Sequence, residues 1–592
     1  MMRISQAKKQ AKICRNATTK AVSWMPWRFY VVSGLLLLAM LSLLCRTAWL
    51  QVIRPDRLLQ ESDRRSLRWQ TLQHPRGIIR DRMGNPLAVS VPVQAIWADP
   101  RGILQSGSLQ QDQQRWQALA DVLHKPIDQL IGRIQANPQG RFIYLSRQIS
   151  PTVATYIQAL SIPGIYLKTE ARRFYPAAEI AAHLVGQTNI DDIGIEGAEC
   201  QYQRQLTGQP SHRLVRQDRL GRIIEDVQAS ESLPVHDVNL SIDGRLQRLA
   251  YRALKEAVTA NKAQAGSAVL LDIDTGEILA MVNSPSYNPN CRSKTPHAYR
   301  RNRAITDTFE PGSTVKPLVL LAALENRIIT RNSIIDTTPG TLRVKNHLVR
   351  DHRNYGLLNL EGVLKKSSNV AVSKLSLAMP IQDLIERYQR FGLGVSTQVG
   401  LIGEHSGMIL EKEKWSDIER VCFSFGYGLA VTPLQIARTY ATLGSFGLLR
   451  PVTFTKMAKP VPGERVAPEA LVRQVVSLME HVATPDGVGR RAAVAGYRVA
   501  VKTGTSRIAE NGGYSRRYVS YTAGVAPASQ PRLALAVVIH DPINGQYYGG
   551  AVAAPLFSHI MHHALRILNI EPDAMPITEL PLWQYQSQGQ GQ

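Results

Sequence analysis

The sequence predicts an α+β protein. It reads as a single membrane anchor, then a mixed α/β region, then a larger domain with an antiparallel five-stranded sheet, flanking helices and a helical subdomain. Two observations carry this. Phe29 to Cys45 is uncharged and rich in leucine, behind a segment holding seven basic and no acidic residues. Strand patterns at 266–282 and 497–540 bracket a long helical stretch that runs to about residue 445. Strands, then helices, then strands suit an antiparallel sheet with segregated helices, and not an alternating parallel one.

At 592 residues the chain exceeds one ordinary domain. Its net charge of +24 implies a polyanionic partner such as nucleic acid, anionic lipid or an acidic wall polymer. The basic residues are spread along the chain, with no zinc-finger spacing or RNA-binding aromatic signature, so nucleic acid is the weaker choice. Cys14, Cys45, Cys200, Cys291 and Cys422 are odd in number, far apart and without C-x-x-C. They are expected to be small buried hydrophobes and not disulfides or metal ligands.

Residues 29 to 50 are long enough to span a bilayer, and Trp24, Trp27 and Trp49 lie where interface tryptophans sit. The cationic segment 1–28 then stays cytoplasmic and the chain after Gln51 lies outside. A cleaved signal peptide would need a shorter apolar core and a small-x-small site. A lipoprotein would need a small residue where Leu44 precedes Cys45.

Residues 51–235 form a separate mixed region. Leu87 to Ala98 reads as strand and Gln113 to Ala136 as helical. The charges of Arg76, Asp81, Arg82, Arg172, Arg173 and Glu196 have no nucleophile–base pair beside them, so they read as structural ion pairs. Residues 236–572 form the second domain. Asp237 to Asp243 reads as strand and Leu246 to Val258 as helix. A hairpin turns at Asp274–Glu277, and three further strands are expected at Tyr497–Thr505, Tyr518–Val525 and Leu533–His540. The tail 573–592 is rich in glutamine.

The chemistry concentrates in three fragments. Ser313-Thr314-Val315-Lys316 is S-x-x-K, at the head of Pro317 to Leu324, which is apolar on all sides and so belongs to a buried helix. Ser313 and Lys316 would share one face of it. A serine becomes a nucleophile when a base takes its proton, and a buried lysine of lowered pKa serves. Ser367-Ser368-Asn369 is S-x-N and Lys502-Thr503-Gly504 is K-T-G. Ser367 would relay a proton between Lys316 and Lys502, and Asn369 would fix Lys316 or a substrate amide. Lys502, Thr503 and Thr505 would hold a substrate carboxylate. Gly504 would let a substrate lie against its strand. Backbone N–H groups of Ser313 and Thr505 would stabilise an oxyanion. Singly, each fragment has a plainer reading: a solvated lysine after a capped helix, a turn serine, an Asn cap, an exposed strand lysine. Jointly and in order, these plainer readings fare poorly.

Together the fragments resemble the set of the penicillin-binding proteins and class A β-lactamases. The chain is similar to the class B penicillin-binding proteins, more narrowly the cell-division peptidoglycan D,D-transpeptidases (penicillin-binding protein 3) of Gram-negative bacteria. The likeness extends to Arg76-Gly77 with Asp81-Arg82, to Gly194-Ile195-Glu196-Gly197, to Phe309–Ser313, to Thr432–Gln435 and to Tyr547–Gly550. It implies an elongated non-catalytic pedestal of dimerisation type at 51–235 and a transpeptidase domain at 236–572. Ser313 would attack the penultimate D-Ala carbonyl of a stem pentapeptide, and the amine of a second stem would resolve the acyl-enzyme. β-Lactams would acylate the same serine. The resemblance implies no cofactor and no metal. It implies an inner-membrane protein with a periplasmic catalytic domain at the division septum, partnered by a membrane glycan polymerase and other division proteins. Glu225-Asp226 lacks the residues that would follow it in a glycosyltransferase motif. Ser506 and His540 depart from the family pattern, and His540 is expected to make activity respond to pH between about 5 and 7. This suggests a specialised paralogue.

Two other classes share part of this pattern. A β-lactamase has the three motifs but hydrolyses its acyl-enzyme through a glutamate and a water. A β-lactam sensor or division scaffold would keep the binding cleft without needing turnover.

Overall fold

A computed structural model of the chain describes residues 26–574 except 54, 73–74, 209–210, 219–222, 230–233, 292–295 and 511–512. Most of the basic segment 1–28, with Cys14 and Trp24, and the tail from 575 lie outside the described residues.

The chain falls into two compact units. In the first, helix α1 (Pro26–Ala48) continues through a helical turn to Ile53. Residues 27–52 are long and apolar enough to cross a membrane, the one such helix among the described residues. Leu35, Leu36, Leu37 and Leu38 are all exposed, as on a helix that faces lipid and not a protein core. The unit also holds a three-stranded antiparallel sheet of Leu67–Leu72, Ser211–Gln217 and Ile223–Ala229. Glu225 and Asp226 lie on its last strand, paired with Arg216 (3.3 Å) and Arg213 (3.4 Å).

The first long strand of the second unit, β1 (Pro86–Ala98), pairs antiparallel with β2 (Ile143–Ile149) and β3 (Ile165–Phe174). One face covers a core of Ile96, Trp116, Leu119, Leu130, Ile134 and Leu145. The helical stretch expected at 113–136 is two helices, Gln113–Val122 and Ile127–Gln135. Pro126 divides them, because proline disfavours helical backbone in the residue before it. Of the charged stretches, Arg76, Arg82 and Arg173 form ion pairs within the fold. Glu199 is fully buried between Arg173 Nε and Arg76 Nε, at 2.6 Å from each.

In the larger region, α2 (Gly244–Ala260) precedes the hairpin β4 (Ala265–Asp272) and β5 (Ile278–Ser284). Then come α3 (Lys316–Glu325), α4 (Asn369–Ala378) and α5 (Pro433–Gly444). Strands β6 (Ala500–Glu510), β7 (Gly513–Ala526) and β8 (Leu533–His540) and helix α6 (Gly549–Ile567) complete it. The five strands form one antiparallel sheet in the order β5-β4-β8-β7-β6. Strands β4 and β8 are buried along nearly their whole length, which is why they read as continuous apolar runs. Helix α5 opens with Pro433 in its first turn, and Thr432 and Gln435 close a reciprocal cap.

Three expectations change. The strand foreseen at 237–243 is only Val238–Asn239, because Asp243 turns its side chain to cap α2. The strand foreseen from Tyr497 starts at Ala500. The cysteines are not buried hydrophobes: Cys45 and Cys291 are exposed, and Cys200 and Cys422 only half-buried, all four free thiols. Cys45 lies on the exposed surface of the apolar helix α1, which packs against no core.

Candidate active site

Gly312–Val315 forms a single tight turn that runs straight into α3. Every residue of α3 from Lys316 to Leu324 is buried, as an all-apolar helix requires. Lys316 is thereby drawn into the core at 0% exposure, which removes the reading of a solvated lysine. Ser313 is half-buried and lines a cleft of about 1070 Å³. Three bonds hold its turn. Gly312 N–H donates to Gly426 O (3.1 Å), Tyr440 O–H to Thr314 O (2.9 Å) and Tyr521 O–H to Glu310 O (3.1 Å). Gly312 has φ +48°, and a side chain there would strike the Tyr521 hydroxyl.

Two lysines converge on one hydroxyl. Lys316 Nζ donates to Ser367 Oγ (3.2 Å), Ser367 O (2.6 Å) and Asn369 Oδ1 (2.7 Å). Lys502 Nζ donates to the same Ser367 Oγ (3.0 Å) and to Thr503 O (3.0 Å). Ser313 Oγ makes no hydrogen bond with the described residues and faces the cleft. Lys502, like Lys316, is at 0% exposure. Burial pushes the Lys316 amine well below its ordinary range, the nearby charge of Lys502 adds to this, and Asp351 partly opposes it. Burial alone lowers Lys502 to about 7.

Ser367 joins two helices with φ +57°, so it is a turn residue as well as the shared acceptor. The cap of α4 is Ser368, whose Oγ accepts from Ala371 N–H (3.0 Å). That leaves the Asn369 side chain free to accept from Lys316 and to donate to Arg350 O (3.1 Å). Asp351 fixes this corner: it accepts from Ser368 Oγ (2.5 Å), Asn369 N–H (2.5 Å) and Val370 N–H (3.1 Å).

Strand β6 is the edge of the sheet and packs beside the Ser313 turn. Thr503, Gly504 and Thr505 line the cleft, and Thr505 Oγ1 accepts from Gly549 N–H (2.9 Å). The space above Gly504 is filled by the Tyr521 ring of the paired strand, so packing within the protein already requires glycine there. Ser506 is buried beside Tyr521. His540 ends β8 edge-on to Phe309, with ring centroids 6.2 Å apart. Burial drops its imidazole to about 4, against a raising effect of Asp307, so it does not titrate in the window expected from the sequence.

The fold places Ser313, Ser367, Asn369, Thr503, Gly504 and Thr505 on one cleft, while Lys316 and Lys502 do not line it and lie buried beneath, each bonded to Ser367. The sequence reading missed Asp351, Tyr440 and Tyr521, which hold these residues in position. None carries a local motif, since each acts through a contact distant in sequence. Among the described residues no three His, Cys, Asp or Glu side chains gather as a metal site.

An edge strand bearing K-T-G, a buried S-x-x-K helix and an S-x-N turn around one cleft define a serine acyl-transfer enzyme class. The chain belongs to the penicillin-binding protein transpeptidase family. The family model of the penicillin binding protein transpeptidase domain matches residues 266–562, and that of the penicillin-binding protein dimerisation domain matches 71–240. The chain is 57% identical to the peptidoglycan D,D-transpeptidase FtsI of Escherichia coli (strain K12) over 554 residues, 93% of this chain and 94% of that one. It is 46% identical to FtsI of Buchnera aphidicola subsp. Schizaphis graminum, over 94% of this chain and 97% of that one. Among solved structures, the transpeptidase domain of penicillin-binding protein 3 from Burkholderia pseudomallei matches with a TM-score of 0.53 and 37% identity, covering 57% of this chain and 98% of that one. A peptidoglycan synthetase from Bifidobacterium adolescentis shares the fold, with a TM-score of 0.68 and 23% identity over 86% of this chain and 98% of that one.

Proposed function

We propose that this protein is a serine-type peptidoglycan D,D-transpeptidase that cross-links stem peptides of the septal wall during cell division. The observation that carries the reading is the shared Ser367 hydroxyl, which accepts from both Lys316 and Lys502. A proton path of this kind suits an enzyme that must deprotonate a serine and protonate a leaving amine. In this reading neutral Lys316 takes the Ser313 proton as the hydroxyl attacks the penultimate D-Ala carbonyl. The proton passes by Ser367 and Lys502 to the departing terminal D-Ala. Asn369 holds Lys316 in place. Thr503 and Thr505 hold the terminal carboxylate, and the N–H groups of Ser313 and Thr505 stabilise the oxyanion. An amine of a second stem then takes the acyl group. A β-lactam enters the same path but leaves no group that departs, so its acyl-enzyme persists.

The basic amino terminus supports a cytoplasmic end for α1 and a periplasmic catalytic domain. The division septum, a glycan-polymerising membrane partner and the other division proteins follow from the kinship with the FtsI proteins. In keeping with the domain reading, residues 51–235 serve as pedestal and 236–572 as catalytic domain.

The test is labelling of the full-length protein in detergent with a fluorescent penicillin, beside Ser313→Ala and Lys316→Met. Stable label on the wild type alone supports the reading. Label that is lost with drug hydrolysis indicates a β-lactamase. A folded wild type that takes no label leaves a scaffold role.

A further inference from the structure

The cleft carries more positive charge than the acylation chemistry uses. Arg350 and Arg353 line it from the segment around Asp351, and Arg490 and Arg491 line it from the short turn Arg490–Ala492. All four are exposed. Elsewhere arginines are commonly paired, as in Arg147 with Glu170, Arg498 with Glu480 and Arg517 with Asp541. None of these four forms an ion pair among the described residues. Arg353 lies over the Tyr355 ring at 5.5 Å, and Arg491 Nη1 donates only weakly, to Ala551 O at 3.5 Å.

The acidic residues of the cleft are too few to neutralise them. They are Asp351 and Asp486. Asp351 bonds Ser368, Asn369 and Val370 and pairs with none of the four arginines, so its single charge offsets them only in part. Asp486 is bound by Lys365 (2.9 Å) and by Lys366 (3.2 Å), which also removes Lys366 from the balance. Both arginine-bearing segments are fixed to the catalytic frame. Arg350 O accepts from Asn369, and Val488 N–H donates to Lys365 O (3.1 Å) just before Ser367. A cleft with one sign of charge and low-dielectric walls concentrates the opposite charge, and a guanidinium fork matches a carboxylate.

We propose that these four arginines form a second anion site that recognises a carboxylate of the peptide substrate away from the scissile bond, so that the cleft selects acidic peptides over amidated ones. The proposal rests on the cleft being the acylation site. It differs from the role given to Thr503 and Thr505, which hold the terminal carboxylate beside the bond that breaks.

The experiment compares acylation of the full-length protein by two penicillins with one nucleus, one with a neutral aryl side chain and one with a carboxylate on that side chain. Arg490→Gln/Arg491→Gln and Arg350→Gln/Arg353→Gln are tested beside the wild type. The expected result is a loss of about fivefold or more in the second-order rate for the carboxylated drug alone, with the neutral drug within about twofold. The wild-type preference for the carboxylated drug should also shrink as salt rises from about 50 to 500 mM. Equal slowing of both drugs would assign the arginines a structural role, and unchanged rates would remove the site; either overturns the proposal. A wild type acylated by neither drug would instead overturn the assignment of the cleft, and this proposal with it.

Discussion

The ring of Tyr521 occupies the volume that a side chain on Gly504 would need. The two residues are directly paired across β6 and β7, and a Cβ on Gly504 would lie inside contact distance of the ring. The same tyrosine reaches Glu310 O with its hydroxyl and excludes a side chain from Gly312. One buried aromatic therefore fixes the K-T-G strand against the serine turn.

Gly504→Ala should accordingly destabilise the fold by about 1–3 kcal/mol through overpacking, and slow penicillin labelling as β6 moves away from Ser313. Tyr521→Phe keeps the ring and loses the hydroxyl's bond to Glu310 and its contact with Ser506, about 1 kcal/mol. Thermal melting and labelling of both variants check this. A Gly504→Ala protein that melts with the wild type would contradict it.

Glu199 is the carboxylate that both Arg76 and Arg173 bond, with all three side chains nearly or wholly buried. Removing one partner of such a group leaves uncompensated buried charge, so Glu199→Ala should cost about 3–5 kcal/mol. Denaturant unfolding measures it. Below the new transition, label at Ser313 should persist, because Glu199 takes no part in the cleft.

Lys502 titrates near 7 in the folded protein and at its ordinary value of 10.5 when unfolded. Between these values the unfolded chain binds more protons, so folding stability should rise with pH from about 7 towards 10.5. Lys502→Met should make that slope shallower, the remainder coming from Lys316, which burial lowers as well. Melting temperatures of both proteins across this range decide it, and parallel curves would disprove the shift.

His540 is lowered from 6.5 to about 4, so the unfolded state again binds more protons between these values. The folded protein should lose stability through His540 as pH falls from 6.5 to 4, and His540→Asn should flatten that loss. The ring resonance of His540, followed by NMR in a histidine-labelled sample, should move near pH 4. Asp307→Asn should lower the midpoint further, because Asp307 favours the charged ring. A midpoint between 5 and 7 would restore the expectation drawn from the sequence.

Features that depend on neighbouring residues could be read along the chain. The anchor was legible because membrane crossing needs only an unbroken apolar run, and α3 because its apolar residues leave no polar face. Leu533–His540 was legible as a strand to the residue, being short, β-branched and bounded by turns. The eight residues of the candidate site could be named because each sits in a fragment of three or four residues. What these groups do to one another depends on the fold. Ser367 and Lys502 stand 135 positions apart, and no local pattern says that they touch. Register placed Tyr521 over Gly504, and chain reversal placed Asp351 under the cap of α4. Burial set the titration of Lys316, Lys502 and His540, because desolvation depends on everything packed around a group and not on the residues beside it in the chain.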